Sequence, residues 1–380
     1  MRRILAQLYM IILRGVAIIF RPFNLQTKVV MLVTFQDNPE QILKKMADLR
    51  VSPETIVFYD PRVDETQLSY NFVRTIPLTF SSIFKRLYHM SRAKVVIVDN
   101  YFPELAALKF KEEACCIQIW HANGALKKFA WEDKATPLRA KSEQKRFKAV
   151  YARFHKVVVG SDMMGEIFKR SFLLESEDRL LKIGVPSTDY FFEQEQLKQI
   201  RASYREKYQK KTILYAPTFR DSELNQAKIL LDLEKMRELL SDEYVLLLKL
   251  HPSIQANATI PEDDFIKLFP KNQSMQEALA GADVLVTDYS SSPFEFALLS
   301  RPIYFFTPDI EQYDRERGLV TGFSELIPGG EPYLTTESLA RGILNDEADL
   351  DEIARFSATW NKYSEGRSAA NLVDFIQKKL

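Results

Sequence analysis

A chain of 380 residues is too long for one compact core and suits two domains. Apolar residues make up 46% and charged residues 27%, as in an ordinary folded protein. A net charge of +1 lacks the global basic field that nucleic-acid binding uses, so no nucleic-acid partner is expected. The only cysteines, Cys115 and Cys116, are adjacent in an apolar run. That suits neither a disulfide nor a zinc site, and reads as buried strand residues of a reduced, cytoplasmic protein.

Residues 2–23 read RRILAQLYMIILRGVAIIFRPF. Arg14 interrupts the apolar run and Arg21-Pro22 follows it, which fits neither a signal peptide nor a spanning helix of about 20 apolar residues. At about 100° per residue, Arg3, Gln7, Arg14 and Arg21 share a narrow arc on an otherwise apolar helix. Such a helix suits a membrane interface, and residues 1–24 are expected to be an amphipathic anchor. A core helix with snorkelling arginines is the plainer alternative.

From Val29 onward short Val- and Ile-rich runs alternate with helical stretches. The expected strands are Val29–Phe35, Thr55–Tyr59, Lys94–Asp99, Cys115–Trp120, Lys156–Val159 and Leu181–Val185, with helices such as Pro39–Leu49 and Pro103–Lys111 between them. The rhythm breaks at Gly184-Val185-Pro186-Ser187-Thr188-Asp189, and the charged stretch Glu193–Lys211 reads as a helical connector. A second βα series follows, with strands at Thr212–Ala216, Tyr244–Leu250, Asp283–Thr287 and Pro302–Phe306. The expected architecture is α/β: two Rossmann-like domains, residues 25–190 and 191–350, facing a cleft. A C-terminal helix within 351–380 is expected to cross back to the first domain.

Polar residues at strand ends stand where open α/β sheets put their ligands. His121 follows Gln118-Ile119-Trp120 and precedes Ala122-Asn123-Gly124, with Lys127 just beyond. The glycine permits close backbone approach, and a loop histidine there is suited to take a proton from a hydroxyl. The plainer alternative is a histidine that caps the next helix. His251-Pro252 ends another apolar run, and a second histidine there would stabilise charge on a phosphate. Ser290-Ser291-Ser292-Pro293-Phe294-Glu295 opens a helix whose hydroxyls and first N–H groups suit an anion, while Ser292 and Glu295 also have capping-box spacing. Thr218 and Arg220 offer a hydroxyl and a guanidinium fork for phosphate oxygens, and Arg317-Gly318 is suited to lie against the same ligand. The basic run between Leu138 and Lys156 reads either as a solvated helix face or as a surface for anionic lipid or a diphosphate-bearing acceptor. There is no G-x-x-x-x-G-K-[ST], no G-x-G-x-x-G after the first strand and no H-E-x-x-H, which removes support for a P-loop NTPase, a dinucleotide dehydrogenase and a zinc hydrolase.

Five segments together resemble the CDP-glycerol glycerophosphotransferases of teichoic acid synthesis. They are Trp120-His121-Ala122-Asn123-Gly124-Ala125-Leu126-Lys127, Leu214-Tyr215-Ala216-Pro217-Thr218-Phe219-Arg220, Lys249-Leu250-His251-Pro252-Ser253, Thr287-Asp288-Tyr289-Ser290-Ser291 and Tyr313-Asp314-Arg315-Glu316-Arg317-Gly318. The resemblance implies a GT-B fold, a monotopic enzyme on the cytoplasmic face of the membrane, and a CDP-glycerol donor held mainly by the second domain. The wording around His121, the short amphipathic N-terminus and the near-minimal length look most like the family's glycerol-phosphate primases; its polymerases usually read Trp-His-Gly there. The implied reaction moves glycerol phosphate from CDP-glycerol to the N-acetylmannosamine hydroxyl of an undecaprenyl-diphosphate disaccharide and releases CMP. His121 would be the general base. His251, Arg220, Ser290 and Ser291 would hold the diphosphate, and Asp288 and Glu295 would orient loops or meet the ribose. Asn123, Gly124, Lys127, Thr218 and Arg317 complete the expected substrate contacts. No resident cofactor or metal is expected, with a divalent ion arriving on the diphosphate left open. Other teichoic acid synthesis enzymes are the expected protein partners.

The nearest rivals are a polymerase-type glycerol- or ribitol-phosphate transferase and a GT-B nucleotide-sugar glycosyltransferase. A non-catalytic membrane scaffold is a third, and the presence of both His121 and His251 argues against it.

Overall fold

The computed structural model describes residues 2–218, 220, 229–250, 260, 262–270 and 273–380. The chain forms two compact units. One comprises Met1–Asn123, Phe129–Asp189 and Lys362–Leu380; the other comprises Gly124–Lys128 and Tyr190–Asn361.

The first unit begins with helix α1 (Arg2–Phe20) and continues through β1 (Gln26–Val33), α2 (Asp37–Asp48), β2 (Glu54–Tyr59), β3 (Val73–Pro77), α3 (Ile83–Arg92), β4 (Ala93–Val98), β5 (Cys115–Gln118), α4 (Lys141–Tyr151), β6 (Lys156–Val159), α5 (Asp162–Ser171) and β7 (Leu180–Lys182). Its strands form one parallel seven-stranded sheet in the order β3-β2-β1-β4-β5-β6-β7. Val30 sits between Ile56 and Val96 in register, all three buried, so both faces of the sheet need cover.

The second unit runs through α6 (Gln194–Tyr208), β8 (Lys211–Ala216), α7 (Leu233–Leu240), β9 (Tyr244–Leu248), β10 (Ile266–Leu268), α8 (Met275–Gly281), β11 (Val284–Thr287), α9 (Ser292–Phe296), β12 (Ile303–Phe305), α10 (Ile310–Glu316), α11 (Thr336–Leu344) and α12 (Leu350–Trp360). Its sheet is also parallel, in the order β10-β9-β8-β11-β12. Both units are therefore Rossmann-like, and the architecture is the GT-B-like class. In each sheet the strand order reverses beside the first strand, between β1 and β4 and between β8 and β11. Carboxyl ends at such a reversal leave a crevice in which ligands bind.

The last helix, α13 (Ser368–Lys379), belongs to the first unit. Its Leu372, Val373 and Ile376 join Ile42, Leu43 and Met46 of α2 over Val29, Met31 and Ile97 of the sheet. Asp189 caps this helix, accepting from Ser368 N at 2.9 Å and Ala369 N at 2.8 Å. Gly184 lies at φ +83°, where a Cβ would collide with Ser368 Oγ and the Tyr363 carbonyl. The motif from Gly184 to Asp189 thus seats the C-terminal helix.

Several elements differ from the sequence reading. Strands β3 and β10 had no expected counterpart. Pro103–Lys111 forms only a short 3-10 turn, Pro103–Ala106. The C-terminal stretch is two helices, α12 and α13, with Gly366 at φ +76° between them, where a left-handed residue ends helical continuity. Gly124–Lys128 groups with the second unit rather than the first.

Among the described residues no helix is long and apolar enough to cross a membrane. Helix α1 packs on α3, and its apolar body is split. Met10, Leu13 and Ala17 are buried in the first unit, while Leu8, Ile11, Ile12, Ile18 and Ile19 are exposed. Tyr9 reaches the buried ion pair of Arg86 and Glu104 (2.6 Å), and burial together with the Glu104 charge pushes its hydroxyl up to about 12.

Candidate active site

In the first unit the site is built at the ends of β1, β4 and β5. Past Gln118 the chain turns through Trp120, which adopts φ +54°, a left-handed conformation that is costly for a bulky residue. Two side chains hold it there. Gln118 Oε1 accepts the Trp120 N–H at 2.8 Å, and Asn38 Nδ2 donates to the Trp120 carbonyl at 3.0 Å. Asn38 Oδ1 accepts from Ser187 N at 2.7 Å, which fixes its amide. The indole stacks on Phe129 (5.0 Å) and meets the edges of Phe168 and Phe172.

The turn delivers His121 between two aromatic faces, Phe35 at 4.1 Å and Trp120 at 4.2 Å. Its Nδ1 lies 3.0 Å from the Asp99 carbonyl oxygen. A carbonyl can only accept, so Nδ1 carries the proton and Nε2 the lone pair. The Asp99 carboxylate, fully buried, accepts from Thr34 N (2.6 Å), Phe35 N (2.8 Å) and Thr34 Oγ1 (2.9 Å). Burial pushes its pKa up to about 6, against the opposing pull of those backbone donors.

The second unit repeats the device at its own strand reversal. Asp288, one residue past β11, accepts from Thr218 N at 2.8 Å and Tyr289 N at 2.6 Å, and so ties the loop after β8 to β11. Its other oxygen lies 3.0 Å from Arg220 Nη2. Arg220 is buried and forked onto Asp309, with Nε at 2.6 Å and Nη2 at 3.1 Å, while Nη1 donates to the Thr218 carbonyl at 2.6 Å. All three of its guanidinium nitrogens are therefore engaged inside the unit. Burial alone would lower the Arg220 pKa, but Asp309 and Asp288 reverse the effect and raise it. Beneath the guanidinium Tyr289 and Tyr313 stack at 3.8 Å, and Tyr289 Oη donates to Asp309 at 3.1 Å. The Thr218 hydroxyl is buried with no hydrogen-bond partner among the described residues.

Thr287 Oγ1 donates to the Ala216 carbonyl (2.9 Å), so the Ser290 hydroxyl donates to Thr287 (2.7 Å). The capping box expected of Ser292 and Glu295 is absent. Helix α9 starts at Ser292, follows Ser291 with no side-chain cap, carries Pro293 in its first turn, and passes into the 3-10 turn Ala297–Leu299, which ends at Ser300 in a left-handed conformation. Ser291 and Glu295 stay half-buried beside it. Gly124 packs on Phe294 of the same helix, where a Cβ would lie 2.7 Å from the ring; the close approach it permits is to a side chain. Lys127 pairs with Leu319 in an antiparallel bridge, flanked by Val320 N to Leu126 O (3.0 Å) and Lys128 N to Gly318 O (2.8 Å). Arg317, just before this bridge, is exposed, and Asn123 is fully buried. His251 lies outside the described residues. Among the described residues no cluster of three or more His, Cys, Asp or Glu side chains could hold a metal ion.

The structure thus brings Thr218, Arg220 and Asp288 together, places Ser290 just beyond Asp288 at the same end of β11, and puts His121 in the first unit's own site. Asn38, Asp99, Gln118 and Asp309 were missed as site residues. The available signal was position: Asp99 and Gln118 lie at or beside the carboxyl ends of apolar strands, as His121 does.

The chain matches the family model of CDP-Glycerol:Poly(glycerophosphate) glycerophosphotransferase over residues 17–378. It is 38% identical to a teichoic acid glycerol-phosphate primase of Bacillus subtilis (strain 168) over 99% of this chain and 98% of that protein. It is 34% identical to a teichoic acid ribitol-phosphate primase of Bacillus spizizenii over 78% of each chain. Among solved structures, the wall teichoic acid polymerase TagF superposes with a TM-score of 0.80 at 25% identity, covering 99% of this chain and 97% of that one. A UDP-GlcNAc 2-epimerase of Neisseria meningitidis shares only the fold, with a TM-score of 0.60 at 13% identity over 93% of this chain and 100% of that one. The model and the B. subtilis primase cover nearly the whole chain, and the protein belongs to the CDP-glycerol glycerophosphotransferase family.

Proposed function

We propose that the protein is a glycerol-phosphate primase, transferring one glycerol phosphate from CDP-glycerol to a sugar hydroxyl of an undecaprenyl-diphosphate-linked GlcNAc-ManNAc disaccharide. His121 carries the reading. Its Nδ1 proton is turned to the Asp99 carbonyl, which makes Nε2 the ring nitrogen that would take the acceptor's hydroxyl proton. The freed alkoxide attacks the glycerol-bearing phosphorus; a P–O bond forms, the phosphoanhydride bond breaks and CMP leaves. Such transfers depend on positioning and charge stabilisation.

The second unit's share is the donor. The Thr218 hydroxyl, buried and without a hydrogen-bond partner among the described residues, stands at its strand reversal, where a ligand oxygen would satisfy it. Ser290, Ser291, Lys127, Arg317 and His251 are the further donor contacts of this reading, with Asn123 and Gly124 shaping the loop after His121 and Glu295 supporting the serine turn. Arg220 acts as a positioning residue that holds Asp288 and Asp309. Support for a primase rather than a polymerase comes from identity: the chain is 38% identical to the B. subtilis primase but 27% identical to that organism's poly(glycerol phosphate) polymerase. The exposed apolar face of α1 supports peripheral attachment to the membrane that carries the acceptor.

The test is incubation of the purified full chain with CDP-glycerol and the lipid-linked disaccharide, with CMP and product mass measured. One added glycerol phosphate is expected. A ladder of products would make the protein a polymerase, and no CMP release beside an active control enzyme would overturn the proposal.

A further inference from the structure

Two cavities of the first unit share a wall. One, of about 540 Å³, opens between α1 and α4 and is lined by Met10, Ile11, Arg14, Ser142, Lys145 and Arg146 among others. The other, of about 400 Å³, has aromatic walls that include Tyr101, Trp120, Phe147 and Tyr151, and polar groups on Gln118, Thr136, Asp133 and Arg139. Glu143 and Arg146 line both. Arg146 is held at that boundary by Tyr101, whose hydroxyl accepts from Nε at 3.0 Å, and it lies 3.9 Å from Glu143.

The two chambers differ in chemistry. The first sets the cations Arg14, Lys145 and Arg146 against one carboxylate, Glu143, which is already paired with Arg139 at 2.9 Å. Arg14 and Lys145 have no ion-pair partner among the described residues, so their charge is uncompensated. The rim of this chamber is α1, whose Leu8, Ile11 and Ile12 are exposed. The second chamber offers flat rings together with carboxylate, guanidinium, amide and hydroxyl groups that can hydrogen-bond sugar hydroxyls, with Asp133 and Glu143 balancing Arg139 and Arg146 in charge. It ends at Trp120, on whose indole the His121 ring stacks.

The geometry points to one continuous subsite for an isoprenoid-diphosphate amphiphile. The isoprenoid chain lies along the exposed face of α1, the diphosphate sits among Arg14, Lys145 and Arg146, and the attached sugars fill the aromatic chamber and present a hydroxyl to His121. This rests on the proposed transfer for the identity of the sugars, but not for the diphosphate. Bulk anionic headgroups share the phosphate chemistry, and the test separates the two sources.

Binding of farnesyl diphosphate to the full chain is measured by calorimetry, beside sedimentation with phosphatidylglycerol vesicles, for the wild type and for Arg14→Ala/Lys145→Ala. Both side chains are exposed, so folding is spared. The double variant is expected to lose about tenfold or more in farnesyl diphosphate affinity, from two lost charge-assisted contacts, with vesicle binding within about twofold of wild type. In turnover assays the acceptor KM rises by a similar factor and the CDP-glycerol KM does not move. The inference falls if the wild type does not bind farnesyl diphosphate, if the variant binds it equally well, or if vesicle binding drops in parallel, which would assign the cations to bulk lipid. Were the wild type inactive on every lipid-linked disaccharide, the transfer reading would fail, while the farnesyl diphosphate arm would still decide the subsite.

Discussion

Nδ1 of His121 lies 3.0 Å from the carbonyl oxygen of Asp99, and that contact assigns the proton within the ring. With Nδ1 as donor, Nε2 is the basic nitrogen, and the rings of Phe35 and Trp120 hold its plane. In His121→Ala, turnover should fall by about 10²- to 10⁴-fold, the usual worth of a positioned general base, with CDP-glycerol affinity unchanged. Rates from single-turnover CMP release and a dissociation constant from calorimetry check both halves. A variant that turns over like the wild type would remove His121 from the chemistry.

Asp99 gives the site a dependence on pH. Its folded pKa of about 6 lies above the ordinary carboxyl value of 3.8, so folding favours the protonated form. Its contribution to stability is complete below the unfolded value and is lost as pH rises through about 6. Asp99→Asn can keep both backbone N–H bonds on its one oxygen and donate to Thr34 Oγ1 from its amide. The neutral variant should therefore gain on the wild type as pH rises from 4 to 8, by up to about 3 kcal/mol. Urea midpoints of the two proteins at several pH values test this; parallel curves would show that Asp99 does not titrate in that window.

Arg220 separates a positioning role from a direct phosphate contact. Its removal leaves Asp288 and Asp309 facing one another with no counter-charge, and Asp288 is buried. Arg220→Ala should cost about 3–5 kcal/mol of stability, as broken buried pairs do. Arg220→Lys keeps the charge but not the fork, and should fall between. If the guanidinium instead served mainly as a donor ligand, Arg220→Lys would weaken CDP-glycerol binding at unchanged urea midpoint.

The sequence exposed the parallel sheets because their central strands are apolar on both faces, as Val29–Val33 and Tyr244–Leu248 are. The edge strands escaped for the same reason in reverse. Val73–Pro77 is mostly half-exposed and ends in proline, and Ile266–Leu268 is three residues long. The position of His121 was legible because a polar residue after an apolar run marks a strand end. What holds it was not, since Asn38 and Asp99 reach it across 82 and 22 residues of chain. Arg220 shows the limit most clearly. A guanidinium beside a strand end looks like a phosphate fork until Asp309, 89 residues on, is seen to fill it.

The N-terminal helix can be tested face by face, and the split apolar body decides how. Deleting it would expose the surface under Met10, Leu13 and Ala17 and confuse anchoring with folding. Ile11 and Ile18 are 64% and 54% exposed and stand two turns apart on the outer side. Ile11→Ser/Ile18→Ser should leave the thermal midpoint nearly unchanged, since exposed substitutions shift stability by only about 0.5 kcal/mol. Each isoleucine that enters lipid contributes about 1.5–3 kcal/mol, so partition into phosphatidylglycerol vesicles should drop at least tenfold. Leu13→Ser, at a site 1% exposed, should do the reverse: a lower midpoint by circular dichroism with vesicle affinity retained below it. Undiminished sedimentation of the outer-face variant would mean that this surface does not enter lipid, and that whatever holds the protein to its acceptor lies elsewhere on the chain.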